Sequence, residues 1–358
     1  MDIAYEGGNM QLGSQVKMID AENKLIYAEQ FVYTSKFLSS RLESVWWLPF
    51  DDSKTRLIVS NTSGQTVVAT IQTDGTSPNQ STPYQVTLVP WETRVLDIMR
   101  DVVGHENGHL HTTGGVSITH NGAPGTVLGR IYVSKANKGY SAAIPFVDPE
   151  ATVSQKWNGS GLRLRMNGDD LEPVLVARNT TNQATTISGR LPYTRPNGNM
   201  DSVVIPSKTI PPNSTKLINL RDLINDANVP TAVSYTGIEL DYASPRGTVV
   251  TSVQSISSNG EHVFQVPMQD PQKLPSSSGG FPFKADGDFR TLVYIKNETA
   301  VTRRYTVSMI WPGGSGYSFG QNELRAGETA LVDFRKLRDD QTPDKMGHII
   351  PLNLDMVK

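Results

Sequence analysis

Three stretches of the sequence decide the fold: TRLIVSNTS (55–63), PVLVARNTT (173–181) and TLVYIKNET (291–299). Each stretch is a run of apolar, strand-forming residues that ends in an asparagine followed by Thr or Glu. The asparagines, Asn61, Asn179 and Asn297, are separated by 118 residues in both intervals. Equal spacing of one motif indicates an internal repeat, so the three stretches predict the same strand in successive copies of one unit.

The sequence around these stretches repeats as well. Upstream, an aspartate keeps the interval of 118 residues at Asp52, Asp170 and Asp288. Downstream, a Pro- or Gly-containing turn, a Thr, a strand and a short Arg-rich helical turn recur at 89–102, 210–223 and 324–337. A further pair of strands, the second introduced by Gly-Thr, recurs at 114–134 and 236–257. The repeat therefore covers nearly the whole chain.

The pattern within a unit predicts an all-β fold. Each unit has about seven short apolar or alternating runs, separated by turn signals, and no long helical pattern. Asn-Gly pairs that favour hairpin turns lie at 107–108, 121–122, 167–168, 197–198 and 259–260. Units of this length and strand number predict tandem antiparallel Ig-like β-sandwich repeats, although the cysteines of antibody domains are absent.

Aligning the repeats predicts the domain boundaries. Residues 1–44 correspond to the C-terminal half of a unit, and 45–150 and 151–272 to two complete repeats. Residues 273–358 correspond to a third repeat without its last strands. Segments rich in Pro, Ser and Gly at 149–161 and 271–280 are the predicted linkers.

These motifs resemble a known kind of repeat. The order of motifs is a strand ending in Asn-[Thr/Glu]-[Ser/Thr], then L-x-P-x-x-T-x-x-L-D, then Gly-Thr before a strand, then [Ile/Leu/Val]-Pro-[Phe/Met]. It is similar to the tandem β-sandwich repeats of large bacterial secreted and cell-surface proteins. The resemblance extends over essentially the whole chain. It implies a stalk, spacer or adhesive module located outside the cell, and it brings no catalytic residues.

Composition excludes several partners. The 358 residues carry 33 basic and 35 acidic side chains, and a net charge of −2 gives no surface suited to nucleic acid. Without cysteine there is no disulfide, thiol catalysis or cysteine-based zinc site. No apolar run is long enough to span a membrane. The first residues have neither the basic nor the apolar region of a signal peptide.

The stretch GHENGHLHTTGG (104–115) contains a literal H-E-x-x-H motif, His105-Glu106-x-x-His109. A zinc peptidase needs this motif on a helix, so that both histidines share one face. Here Asn-Gly interrupts the motif and glycines flank it, which favours a loop. A peptidase is therefore a remote alternative. A polar exposed loop is the favoured interpretation. A non-catalytic metal site is the other, with four histidines near one another in sequence: His105, His109, His111 and His120.

The repeated aspartates and a glycine-rich loop are further candidate sites. Asp52, Asp170 and Asp288 are candidate calcium ligands, although two or three carboxylates fall short of the six to eight oxygens that Ca²⁺ binds, and turn capping is the favoured interpretation. Around PGGSGYSFG, aromatic side chains form a candidate sugar-stacking surface: Trp311, Tyr317 and Phe319. Core packing is the more common role of such aromatics.

The repeated asparagines also begin N-x-[Ser/Thr] sequons, but their fixed spacing predicts a structural role instead. We expect each to end a strand and to hydrogen-bond the turn that follows.

Together these features predict a non-enzymatic, extracellular structural or adhesive protein without cofactors. It would serve as a stalk, a scaffold or a filament subunit that assembles by strand donation. Its expected partners are other copies of itself or, if it is a fragment of a longer repeat protein, the neighbouring repeats of that chain, with surface glycans as another possibility. The strands in 1–44 would complete the unit in 273–358, either within one chain or between chains. A carbohydrate-binding module is the alternative function.

Overall fold

The computed structural model of the chain describes residues 15–19, 25–30, 36–50, 52–75, 83–103, 113–135, 141–273, 291–311 and 316–352. Across these residues the chain is all-β, with antiparallel strand pairs, so the predicted class is confirmed. After an N-terminal hairpin, the strands form three groups, which we call unit 1 (36–150), unit 2 (151–273) and unit 3 (291–352).

The N-terminal hairpin consists of β1 (Gln15–Ile19) and β2 (Leu25–Gln30), which pair with each other. Unit 1 follows with eight strands: β3 (Arg41–Trp47), β4 (Ser53–Asn61), β5 (Val67–Gly75), β6 (Tyr84–Leu88), β7 (Thr93–Asp97), β8 (Thr113–His120), β9 (Val127–Lys135) and β10 (Ser141–Pro145). A π-helical turn, Ile98–Val103, follows β7. The strand order is β3-β8-β5-β6 in one sheet, the front sheet, and β10-β9-β4-β7 in the other, the back sheet.

Unit 2 repeats this topology. Its strands are β11 (Lys156–Arg163), β12 (Arg165–Met166), β13 (Asp169–Asn179), β14 (Thr185–Thr194), β15 (Met200–Ile210), β16 (Ser214–Asn219), β17 (Tyr235–Tyr242), β18 (Val249–Ser257) and β19 (Val263–Val266), with helix α1 (Arg221–Asp226) after β16. The front sheet has the order β11-β17-β14-β15. In the back sheet β13 pairs with β18 and β16, and β18 pairs with β19, which reproduces the order β10-β9-β4-β7 of unit 1.

In unit 3 fewer strands are described than in units 1 and 2. Its strands are β20 (Leu292–Lys296), β21 (Arg303–Ile310), β22 (Gly316–Leu324) and β23 (Thr329–Asp333), followed by α2 (Phe334–Asp339). By position in the repeat, β21-β22 belongs to the front sheet and β20-β23 to the back sheet. Neither short helix, nor any other helix in the described residues, has the length and apolar character to cross a membrane.

Alternating apolar residues build the core of each complete unit. In β4 every second side chain is buried, which places Leu57 and Val59 between the two sheets. Trp46 fills the interior of unit 1 against Gly114, where a Cβ would lie only 2.5 Å from the indole. The corresponding interior of unit 2 contains Trp157, whose indole Nε1 donates to the carbonyl of Val249 at 2.9 Å.

A buried aspartate ties the end of each complete unit to its beginning. Asp148 accepts hydrogen bonds from the backbone N–H groups of Leu38 and Ser39, and Asp270 does the same for Val153 and Ser154. The 3-10 turns that follow these aspartates, Pro149–Ala151 and Pro271–Lys273, contain the predicted boundaries at 150 and 272. The boundary expected at 44 instead falls within β3, which pairs with β8 in unit 1.

The repeated asparagines have the structural role that their spacing predicted. The side-chain amide of Asn179 donates to the carbonyls of Gln183, Ile210 and Pro211, and its Oδ1 accepts from the backbone N–H of Thr181 at 3.0 Å. The same set of bonds surrounds Asn61 and Asn297. Each asparagine therefore fixes two neighbouring turns at one end of its sandwich, and this prediction is confirmed.

Replacing Asn179 with alanine tests that role. The three carbonyls would lose a buried donor, so Asn179→Ala should lower the free energy of unfolding by about 3 kcal/mol in urea denaturation. Asn199→Ala, in an exposed turn of the same unit, is the matched control and should change it by less than about 0.5 kcal/mol. Equal effects of the two substitutions would contradict the assignment.

Candidate functional site at the contacts between units

Neighbouring units pack sheet against sheet. The front sheet of unit 1 lies on the back sheet of unit 2, where β3 contacts β13 and β18 and β8 contacts β16. Four apolar side chains of unit 2 join the core of unit 1: Val174, Val176, Val250 and Ile256. The front sheet of unit 2 meets the back sheet of unit 3 in the same way, through β11 and β20. A sheet between two units is therefore covered on both faces.

The guanidinium of Arg178 lies at the centre of the contact between units 1 and 2, where this residue is 5% exposed. Its Nε and Nη2 atoms donate to Oδ2 of Asp74 at 2.9 and 2.7 Å, and Nη1 donates to a carboxylate oxygen of Glu43. Nη1 also donates to the carbonyl oxygen of Val116 at 3.0 Å. One side chain of β13 thus binds three strands of unit 1: β3, β5 and β8.

The charges in this cluster balance one another. Glu43 is fully buried and also accepts from Nε of Arg41 at 2.6 Å. Burial by itself lowers the pKa of the Arg178 guanidinium, but the charges and hydrogen bonds of Glu43 and Asp74 raise it above its usual value overall. An unpaired buried ion costs several kcal/mol, so Arg178 and Asp74 need each other's unit to be in place, whereas Glu43 keeps Arg41 of its own unit as a partner.

A glycine makes room for the guanidinium. A Cβ atom at Gly115 in β8 would lie 2.0 Å from Nε of Arg178 and 2.1 Å from Oδ1 of Asp74. Any side chain at this position would displace Arg178 from its partners on β3, β5 and β8. Glycine inside a strand weakens the sheet locally, and here it permits the close approach of a neighbouring unit.

The contact between units 2 and 3 uses the same positions with different residues. Lys296 in β20 lies 118 residues after Arg178, and its side chain is 3% exposed. Its Nζ is 3.0 Å from a carboxylate oxygen of Glu239 in unit 2 and 2.7 Å from one of Glu298. Burial tends to raise the pKa of Glu239, but the charges of Lys296 and Arg190 lower it overall. Gly237, the counterpart of Gly115, lies beneath Lys296, with a Cβ position 3.2 Å from Cε.

An aromatic pair adds to this second contact. The rings of Tyr294 in unit 3 and Tyr235 in unit 2 pack edge to face with centroids 5.5 Å apart. The hydroxyl of Tyr294 accepts from Nη1 of Arg163 at 3.2 Å. Gly161, in a left-handed conformation, lies under the Tyr294 ring, where a Cβ would be 2.5 Å away. Both contacts therefore place bulky side chains of the later unit over glycines of the earlier one.

The equivalent position in unit 1 carries no charge. Ser60 in β4 lies 118 residues before Arg178, and its hydroxyl shares a hydrogen bond of 2.8 Å with the hydroxyl of Thr93 on the neighbouring strand. The outer face of the unit 1 back sheet therefore presents a hydroxyl where the next two units present a buried cation. On that face Val95 is 56% exposed.

The candidate metal ligands are not brought together in the described residues. His105, His109 and His111 lie outside those residues, whereas His120 is buried at the end of β8. Burial lowers the pKa of the His120 imidazole, and the backbone of Gly122 opposes this only in part. No group of three or more His, Asp or Glu side chains arranged for a metal occurs in the described part of the chain.

The candidate calcium ligands contact cations instead of one another. Asp52 is exposed, with Oδ1 at 3.4 Å from Nζ of Lys135. Asp170 lies 2.8 Å from Nε of Arg165 and also approaches Arg221. Asp288 is outside the described residues. Basic neighbours already neutralise the two described carboxylates.

The candidate sugar-stacking residues pack in the core of unit 3. Tyr317 is 2% exposed, and the partly buried Trp311 and Phe319 pack against the same core. A ring with so little exposure has no free face for stacking on a sugar. Because side chains alternate along a strand, Tyr317 and Phe319 in β22 lie on the same side, against this core, which agrees with core packing as the more common role of such aromatics.

Sequence reasoning missed the residues at the contacts, although a signal was present. Each diagnostic strand has a polar residue directly before its asparagine, namely Ser60, Arg178 or Lys296. A cation inside an otherwise apolar strand, and glycines inside the strands of the preceding unit, together indicate a buried contact.

No family model, curated protein sequence or solved structure matches this chain.

Replacing Arg178 tests the energetic weight of the first contact. Arg178→Met would leave Glu43 and Asp74 buried without their main partner, so the free energy of unfolding should fall by about 3–5 kcal/mol. The matched control is Arg190→Ala, which removes a 2.7 Å ion pair whose arginine is 57% exposed and should cost less than about 1 kcal/mol. Urea denaturation measures both, and a loss below 1 kcal/mol for Arg178→Met would show that the cluster does not hold the units together.

The burial of His120 predicts a pH dependence. Because its folded-state pKa is below the ordinary value of 6.5, the unfolded chain binds the proton first as the pH falls. The His120 contribution to stability should be complete above pH 6.5 and decline below it. Comparing urea midpoints at pH 7.5 and 5.5, His120→Leu should show a smaller decline than the wild type. An unchanged decline in His120→Leu would contradict the prediction.

Proposed function

We propose that this chain is a non-enzymatic structural protein, an extracellular or cell-surface scaffold built of tandem Ig-like β-sandwich units. The single observation that carries the proposal is the buried Arg178 cluster, which joins the front sheet of unit 1 to the back sheet of unit 2. Lys296 supports the same kind of contact between units 2 and 3. Such a chain works by holding its units at a fixed spacing and orientation.

The nature of the contacts favours a rigid spacer over a flexible string of domains. Units joined through small polar contacts normally move relative to one another. Here apolar side chains of unit 2 belong to the core of unit 1, and both contacts contain buried ion pairs. Separating the units would expose that apolar surface and leave charges without partners, so bending at the linkers is opposed.

Neither alternative function gains a supporting contact in the described residues. The aromatic side chains considered for sugar binding pack in the core of unit 3, and the H-E-x-x-H motif lies outside the described residues. The extracellular location follows from the resemblance in sequence pattern and from the cysteine-free, charge-poor composition.

Distance measurements between spin labels test the proposed rigidity. The chain has no cysteine, so Lys54→Cys in unit 1 and Ser207→Cys in unit 2 give two unique, exposed attachment points. Pulsed electron paramagnetic resonance should report one narrow distance distribution. Adding Arg178→Ala should broaden it at least twofold, because the ion cluster no longer fixes the two sheets.

Adding Arg190→Ala instead provides the control, since Arg190 lies on the front sheet of unit 2 and contacts no residue of unit 1 among its described partners. This substitution should leave the width unchanged. A broad distribution in the otherwise unmodified chain would mean that the units move independently, and the scaffold proposal would then fail.

A further inference from the structure

The back sheet of unit 3 is narrower than its counterparts in the described residues. Unit 1 has a four-stranded back sheet and unit 2 a five-stranded one, which also includes the short strand β12. In both, a C-terminal hairpin, β9-β10 or β18-β19, pairs along one edge of the central strand. In unit 3, β20 takes the place of that central strand and pairs with β23. Within the described residues, no hairpin lies on its other edge.

Side chains at the core positions of β20 are more exposed than their counterparts in units 1 and 2. In units 1 and 2 the matching positions, Leu57, Val59, Leu175 and Ala177, are completely buried. Their counterparts Val293 and Ile295 remain partly exposed. An open edge beside apolar side chains is a template for strand addition.

The N-terminal hairpin, β1-β2, has the position in the repeat of a C-terminal hairpin such as β9-β10, the kind that is not found beside β20 in the described residues. In chain order β1-β2 comes directly before β3, the first strand of unit 1. In the same way β9-β10 comes before β11, the first strand of unit 2, and β18-β19 comes before unit 3. It pairs with no other described strand. Moreover, β2 lies against β10, just as β10 lies against β19 of the following unit. The hairpin therefore occupies, next to unit 1, the position that a preceding unit would fill.

We propose that β1-β2 of one copy of this chain pairs along β20 of a second copy. The completed back sheet would have the order β2-β1-β20-β23, which corresponds to β10-β9-β4-β7 and to β19-β18-β13-β16. β1 and β20 both contain five residues, and the repeat requires them to run antiparallel. This inference rests on the proposed scaffold function and makes the scaffold a head-to-tail assembly.

The arrangement of the units favours a second copy over closure within one chain. The hairpin lies at unit 1, whereas β20 lies beyond unit 2, and the Arg178 and Lys296 contacts hold the intervening sheets in sequence. Bringing β1 to β20 of the same chain would require those contacts to open. Joining two copies instead covers exposed apolar side chains on both: Val95 on unit 1 and Ile310, 71% exposed, on unit 3.

Concentration-dependent mass tests the assembly directly. Light scattering of the intact chain should give a weight-average mass that rises from 39.2 kDa toward multiples of it as concentration increases. Lys17→Pro in the centre of β1 should weaken association at least tenfold, because proline cannot donate to the ladder. Lys17→Ala is the matched control and should associate like the wild type.

A cross-linking experiment identifies which strands meet. Single-cysteine variants Lys17→Cys and Ile295→Cys are mixed and treated with a short bis-maleimide linker, which reports only introduced cysteines. A heterodimer should form at least tenfold more efficiently than with the control pair Lys17→Cys and Ser207→Cys. In a chain that carries both Lys17→Cys and Ile295→Cys, linkage should likewise join separate chains.

Three results would overturn the inference: a monomer at every concentration, unchanged association of Lys17→Pro, or linkage within a single chain. A monomer that is stabilised by additional C-terminal sequence would assign the edge of β20 to that sequence. The scaffold proposal is separable from all of these outcomes, because the spin-label distance between units 1 and 2 reports rigidity in a monomer as well as in an assembly.

Discussion

The buried guanidinium of Arg178 is the group on which the relation between units 1 and 2 depends, because its partners lie on the other unit. Asp74 and Glu43 come from separate strands of unit 1 and are 104 and 135 residues away in sequence. Removing these ions from water is favourable only if all of them are hydrogen-bonded in one arrangement. Gly115 permits that arrangement and no side chain could replace its hydrogen without moving Arg178. The contact consequently selects one docking geometry, in addition to the apolar surface that it buries.

The successive contacts keep the geometry and change the chemistry. Arg178 uses a planar fork to bind two carboxylates and a carbonyl, whereas Lys296 offers a single ammonium to two carboxylates. The second contact compensates with the Tyr294–Tyr235 aromatic pair. In unit 1 the same position is Ser60, whose hydrogen bond to Thr93 stays within its own sheet. The repeat thus conserves the position of the contact in the fold while its strength varies along the chain.

Sequence alone was sufficient for the all-β class, the spacing of the repeat and the role of Asn61, Asn179 and Asn297, because strand periodicity and turn chemistry are local. The contacts between units are not local. The alternation in a strand identifies one inward face, but it does not reveal that a neighbouring unit covers the other face. Arg178 consequently resembled a solvent-facing residue, and its acidic partners had no special spacing. For a related reason the sequence favoured core packing over sugar stacking for the aromatics near 311–319 only on general grounds, since the glycines beside them do not determine which side of β22 faces the core.

The direction of the contacts bears on how far such a structure can extend. Units 1 and 2 use their front sheets toward the next unit, and units 2 and 3 use their back sheets toward the previous one, so the two surfaces in a contact are different. A contact between two different surfaces does not produce a closed two-fold dimer. When such contacts repeat in one direction, a front sheet remains free at one end of the stack and a back sheet at the other. Within the chain, a buried cation strengthens each contact between units. The back sheet of unit 1 has Ser60 at this position instead. A contact between two copies of the chain would therefore be stabilised by apolar surface and by strand pairing. Contacts between units would thus be strong within a chain and weaker between chains. This is the arrangement expected of a scaffold whose subunits remain intact while their assembly stays reversible.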